Sequence, residues 1–288
     1  MKPVSTYRSE ARVLLKAYLL TSPHAPYTSI LGGLVASKVV YDLTQLLSAF
    51  YIKPYSGLTR IQRIEWNNRG MSSMHAVFIT FLSLYFVFLS DLFRDEQTDK
   101  VVTLQSSLFS ILGLGVSVGY FLADMGLIFW HYPSLGGMEY VIHHSLSAFS
   151  IMYTMFSGEG QIYCYFCLIS ESTTPAINMR WWVFFKFEHE YMNLLIGCQG
   201  RYLDMSGLKR SSAYLINGVV IFTMWLVARV MLFLYIFRHI YEHYNQVLKM
   251  RAFGRMIVIV VPLVLFLMNL VWLCKIFKGL KKTLTKRL

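Results

Sequence analysis

The amino-acid sequence predicts an all-α fold: a polytopic membrane helix bundle of about seven transmembrane helices, within a range of six to eight. Three observations carry this. Of 288 residues, 56% are hydrophobic and only 15% charged, where a soluble domain carries roughly 25% charged residues. The apolar residues gather into runs of bilayer length, and three of these, 72–90, 140–157 and 256–274, contain no Lys, Arg, Asp or Glu. The basic residues, which give a net charge of +12, fall between those runs and in the C-terminal tail.

In chain order, residues 1–27 are mixed and polar and end at Pro23 and Pro26. The run VLLKAYLL is interrupted by Lys16, too weak for a cleaved signal peptide, so the first true span is expected to act as a signal anchor. That span, 29–51, carries Lys38 and Asp42, whose i,i+4 spacing puts them on one face where they can pair. A basic linker (Lys53, Arg60, Arg63, Arg69) leads to the second span, 72–90, and an acidic loop to the third, 104–130. The third holds a single acid, Asp124, and three glycines; Gly115 and Gly119 fit a small-xxx-small face that lets helix backbones approach. The fourth, 140–157, is uncharged but contains His143 and His144.

The fifth span, 161–178, contains Glu171 and Pro175. Proline has no N–H, so the carbonyl of residue 171 loses its helical partner and the helix should bend or stop there. Ser172, Thr173 and Thr174 stand nearby to satisfy the freed groups. Lys186, Glu188, His189 and Glu190 interrupt the stretch 182–202, which reads as an interfacial or irregular excursion. Two spans close the chain: 213–237, with Arg229 inside it, and 256–274. The organisation is then an N-terminal segment with the first span (1–60), a membrane domain (61–282) and a basic tail (283–288).

Nucleic-acid binding does not follow from the charge, because Lys275, Lys278, Lys281, Lys282, Lys286 and Arg287 sit just beyond an apolar run with no acid among them. Such clusters attract anionic headgroups and stay cytoplasmic, so membrane lipids are the expected partners, with the tail on an anionic membrane surface. Protein partners are not specified. Four cysteines form no disulfide framework. Cys164 and Cys167 make a CxxC in an apolar run, which reads as two small core residues.

The ionisable groups at membrane depth are few: Asp124, His143, His144, Glu171 and Arg229, with His75 near the start of the second span. Such groups are costly in hydrocarbon and mark partners, watered cavities or function. Arg229 can neutralise Asp124 or Glu171; His75 is equally consistent with an interface. Adjacent histidines on a helix point about 100° apart, so they cannot share one target. Ser147 is one turn from both rings and can orient one. A neutral imidazole held by Asp124 or Glu171 can act as a general base, and structural hydrogen bonding is the competing role. Zinc needs at least three protein ligands, and the pair has no HExxH-like spacing, so no metal is expected.

RIEWNNRGMSSMHAVF (63–78), GYFLADMGLIFW (119–130), YVIHHSLSAFS (140–150), ISESTTPAINMRWW (169–182), YLINGVV (214–220) and FLMNLVWLCKIFKG (266–279) together resemble the TLC family, named for TRAM, Lag and CLN proteins. The resemblance runs in order from about residue 60 to the C-terminus. It implies a helical bundle around a lipid-holding cavity, usually in the endoplasmic reticulum, and a role in membrane-lipid homeostasis with no assigned cofactor. Ceramide synthases, sphingolipid enzymes of the family, resemble this chain at the histidine pair. By that likeness His143 and His144 are the acyl-transfer histidines, and acyl-CoA is the co-substrate of an acyltransferase. The family's LHDxxD-type run is not matched: this chain has Glu171 and Arg180 there and no such aspartates. Residues 183–201 resemble an insertion, since the relatives run almost directly from the Trp182 counterpart to that of YLDMSGLKRS. Two expectations follow: a lipid-binding or lipid-sensing protein, or an acyl-CoA-dependent acyltransferase with a histidine base.

Overall fold

In hydrocarbon each backbone N–H and C=O must be paired within its own segment, so long apolar runs become helices. The computed structural model of the protein describes residues 23–94, 101–179 and 212–285, and every regular element among them is helical. Short turns at Asp91–Phe93, Val102–Leu104 and Tyr244–Val247 aside, these are in order α1 (Ala25–Tyr51), a 3-10 turn (Lys53–Gly57), α2 (Arg60–Leu84) closing in a π turn (Tyr85–Leu89), α3 (Leu108–Trp130), α4 (Met138–Ser157), α5 (Gln161–Ile169), a 3-10 segment (Ser170–Thr173), α6 (174–179), α7 (Ser212–Trp225), a π segment (Leu226–Met231), α8 (Leu232–Glu242) and α9 (Ala252–Thr285).

Among the described residues, five helical stretches are long and apolar enough to cross a membrane: Ala25–Tyr51, Arg60–Leu89, Leu108–Trp130, Gly218–Glu242 and Ala252–Lys281. They coincide with the first, second, third, sixth and seventh predicted spans. The histidine helix α4 has 20 residues, about 30 Å at 1.5 Å per residue and so just of bilayer length. The fifth predicted span is discontinuous. Its helix breaks into the 3-10 segment Ser170–Thr173 directly ahead of Pro175, and the Thr174 N–H takes the Glu171 carbonyl that proline leaves without its usual donor.

The predicted basic linker is corrected. Arg60, Arg63 and Arg69 lie on α2 itself, because charged residues at a membrane helix's end extend it into the polar zone instead of terminating it. Arg69 pairs with Glu65 one turn earlier, 2.7 Å away, which supports the helix there. The stretch 182–202 lies outside the described residues.

The chain forms two compact units. The first comprises the described parts of Met1–Lys38, Leu84–Tyr165 and Asn245–Ile257. Here α3 starts with a capping box in which Ser107 and Ser110 exchange side-chain and backbone hydrogen bonds. It then crosses α1 at glycines. A Cβ on Gly119 would meet the Leu34 nitrogen at 2.6 Å, and one on Gly33 would overlap the backbone of Val116. The predicted small-xxx-small face of α3 is therefore real, and its counterpart is Gly33. An aromatic cluster of Phe86, Phe93, Phe109 and Tyr165 packs elsewhere in this unit, with Phe86 and Tyr165 centroids 4.7 Å apart.

The second unit comprises the described parts of Val39–Ser83, Phe166–Tyr244 and Val258–Leu288. The Trp66 indole donates to Ser48 (2.9 Å), the Tyr55 hydroxyl donates to Asn67 (3.0 Å), and Tyr55, Leu58 and Trp66 form a small core. Asn178 on α6 donates to Ser72, Ser73 and the Arg69 carbonyl, and accepts from the Arg69 guanidinium at 3.0 Å. In both units the polar groups turn inward while Leu31, Phe81, Val227 and Leu267 are exposed, the inside-out pattern of a bundle in lipid.

Candidate functional site

Residues of α3 and α4 that are far apart in sequence meet in the first unit because these two helices pack along one another. Asp124 projects from α3 and is 4% exposed; His143, on α4, is 9% exposed. The His144 Nδ1 lies 3.0 Å from Asp124 Oδ2. The atoms are within hydrogen-bond reach but not aligned for a straight bond; catalytic contacts of this kind commonly tighten only when substrate is bound. A carboxylate facing Nδ1 favours a proton there and leaves the Nε2 lone pair free to act as a base. Phe121 sits edge-on to the His144 ring with centroids 5.3 Å apart, and His143 meets His144 at 5.5 Å and 69°. The ring of His144 thus stands between an acid on one side and an aromatic edge on the other. Ser147, one turn along, is buried on the same helix.

Of the two acids that the sequence offered to the histidines, the structure pairs Asp124 with His144. Glu171 has another partner. In the second unit Arg229 Nη2 stands 3.6 Å from Glu171 Oε1, and its Nε donates to Thr173 Oγ1 at 2.9 Å. Its Nη1 reaches Asn269 Oδ1 at 3.4 Å, and the guanidinium lies over the Trp225 ring, 4.7 Å from the centroid. Thr174 Oγ1 donates to Glu171 Oε2 at 2.9 Å, and the Trp225 indole donates to the Asn269 carbonyl at 3.0 Å. The two elements that carry this cluster, Ser170–Thr173 and the π segment Leu226–Met231, are both departures from α geometry, and they pack on one another. Departures of this kind recur at functional sites.

His75 is buried on α2 in the second unit, and Arg180 lies outside the described residues. Cys164 is buried with its Sγ 3.2 Å from Thr154 Oγ1, and neither it nor Cys167 is in a disulfide. Among the described residues no group of three or more His, Cys, Asp or Glu is placed to hold a metal ion.

Sequence reasoning missed two polar positions. Asn269 is 1% exposed in the helix predicted as wholly uncharged; the signal was a lone amide in an apolar run, which a count of charges passes over. Glu159, between Gly158 and Gly160, is 8% exposed and accepts from the Tyr153 hydroxyl and the Arg251 N–H at the start of α9. Its place in a turn hid it from a search at membrane depth.

The TLC domain family profile matches residues 65–278. The African clawed frog (Xenopus laevis) TLC domain-containing protein 4-B is 25% identical over 272 residues, 92% of this chain and 93% of the frog protein. The human TLC domain-containing protein 4 is 23% identical over 247 residues, 85% of each chain. A Dictyostelium discoideum relative, TLC domain-containing protein 4 C, is 27% identical over 157 residues, 54% of this chain and 55% of its own. No solved structure matches the chain.

Proposed function

We propose, from the premise that this chain belongs to the TLC domain family, that it acts in membrane-lipid homeostasis by binding or sensing an acyl lipid within its helix bundle. The observation that carries this reading is buried Asp124 against half-buried His144, beside buried His143. A bundle that needed only stability would place apolar residues there, since taking polar side chains out of water returns little net free energy. A polar site on helices whose other faces are apolar suits a ligand with an apolar chain and a polar head. The endoplasmic reticulum is the proposed location, and the basic residues of the tail region are proposed to rest on anionic lipid.

The test is mass spectrometry of lipids retained by the purified protein, wild type against His143→Ala/His144→Ala. Retained acyl lipid in wild type and its loss in the variant, with the melting temperature unchanged, is the expected result. Wild type recovered stable and lipid-free from several detergents overturns the reading.

The geometry of His144 also favours a second reading, acyl transfer from acyl-CoA. With Nδ1 held by Asp124, Nε2 would take the proton of an attacking amine or hydroxyl as the new C–N or C–O bond forms and the thioester C–S bond breaks, releasing CoA as its thiol. Protein incubated with acyl-CoA and candidate amines should turn over only with His144 present; full turnover by His144→Ala removes this mechanism.

A further inference from the structure

Asn269 lies at the heart of the second unit's polar cluster and is 1% exposed. Its Oδ1 accepts from Arg229, which fixes the amide's orientation, and its Nδ2 then has no acceptor. A buried donor left without a partner costs the desolvation of that group, and native proteins rarely leave one so. Among the described residues no oxygen receives it. Thr173 accepts from the Arg229 Nε, the Asn269 carbonyl is engaged by Trp225, and one Glu171 oxygen accepts from Thr174. The carboxylate is also 3.6 Å from the guanidinium, looser than the 2.7–2.9 Å of a well-formed charged hydrogen bond. All of this sits where one helix breaks at Ser170–Thr173 and another widens into a π segment at Leu226–Met231. In lipid, such irregular backbone persists where protein or a bound group occupies the space beside it.

From these observations we propose that Asn269 and Arg229, framed by Glu171 and Thr173, form a second polar binding site, one that accepts a hydroxyl or carbonyl oxygen of a long-chain lipid on Asn269 Nδ2. A neutral oxygen fits better than a phosphate or free carboxylate, because Glu171 already balances the charge of Arg229. The proposal rests on the reading that the bundle binds lipid, but not on the histidines of the first unit.

Full-length protein in detergent is incubated with two photoreactive diazirine probes, a long-chain alcohol and a long-chain fatty acid, and cross-linked peptides are mapped. Competition by excess unlabelled alcohol identifies specific labelling. Asn269→Asp keeps the oxygen that Arg229 contacts and removes the donor, and Asn269→Leu removes both. The expected result is competed labelling by the alcohol, in preference to the acid, on peptides containing 169–179, 225–232 or 265–272. It should fall about fivefold or more in both variants, the worth of one hydrogen bond, at a temperature where both remain folded. Labelling of the α3 and α4 peptides that persists while these peptides stay unlabelled overturns the second site alone. An absence of competed labelling anywhere overturns the lipid reading as well. If Asn269→Leu raises the melting temperature and leaves labelling unchanged, the donor faces only water and the proposal is wrong. Should Asn269→Leu fail to fold, Asn269→Asp decides by the same readout.

Discussion

At the residue scale, the structure's main decision is the division of acids between cations. Asp124 stands against His144 and Glu171 against Arg229. Neither pairing was legible in the sequence, because both acids and the arginine occupy membrane depth and spacing along separate helices does not say which helices touch. The Glu171–Arg229 pair makes a quantitative prediction. Glu171→Ala removes a counter-charge from Arg229, which is buried at 4% exposure, and should cost about 3–5 kcal/mol. Glu171→Leu combined with Arg229→Met should cost clearly less than the sum of the single changes, since no uncompensated charge remains. Unfolding of the four proteins in one detergent gives the coupling, and additive losses would show that the pair is not coupled.

At the element scale, glycine and proline do work that their positions announced. Pro175 was predicted to break its helix, and the break runs through Ser170–Thr173. Gly115 and Gly119 were predicted as a close-packing face, and α1 lies against it. The glycines are not equivalent, however. A Cβ at Gly126 meets nothing within 4 Å, whereas one at Gly119 runs into the α1 backbone. Gly126→Ala should therefore stabilise the protein by up to about 1 kcal/mol through helix propensity. Gly119→Ala should destabilise it by about 1–3 kcal/mol, the usual cost of overpacking. Thermal melts of the two variants check this; equal effects would mean that the α1–α3 crossing is not a close contact. The π segment that carries Arg229 had no sequence signal, since Leu226–Met231 contains no glycine or proline to mark it.

At the scale of the whole molecule, the number of crossings decides which side each terminus occupies. Five stretches qualify by length and apolarity, and α4 with the broken α5–α6 pair would complete the predicted seven. An odd number puts the termini on opposite sides. With its 34 residues α9 is about 50 Å long, well beyond the roughly 30 Å of hydrocarbon, so its end with Lys275, Lys278 and Lys281 extends into the headgroup region. Those lysines are expected to face the cytosol. An epitope tag at the C-terminus should be reached after selective permeabilisation of the plasma membrane, and one at the N-terminus only after all membranes are opened. Both tags accessible together would require an even number of spans.

The sequence by itself determined that this is a helical membrane protein, where most of its spans lie, and where one of them breaks. Each of these follows from local composition, because the bilayer imposes the same length and hydrogen-bonding demand on every segment regardless of its neighbours. Only the tertiary structure decided which acid meets which base, that Gly33 opposes Gly119, and that Asn269 presents a buried donor with nothing to receive it. Those facts depend on which helix faces pack together. In lipid that choice is made by shape and polar complementarity between helices, and a one-dimensional apolar pattern carries almost no record of it.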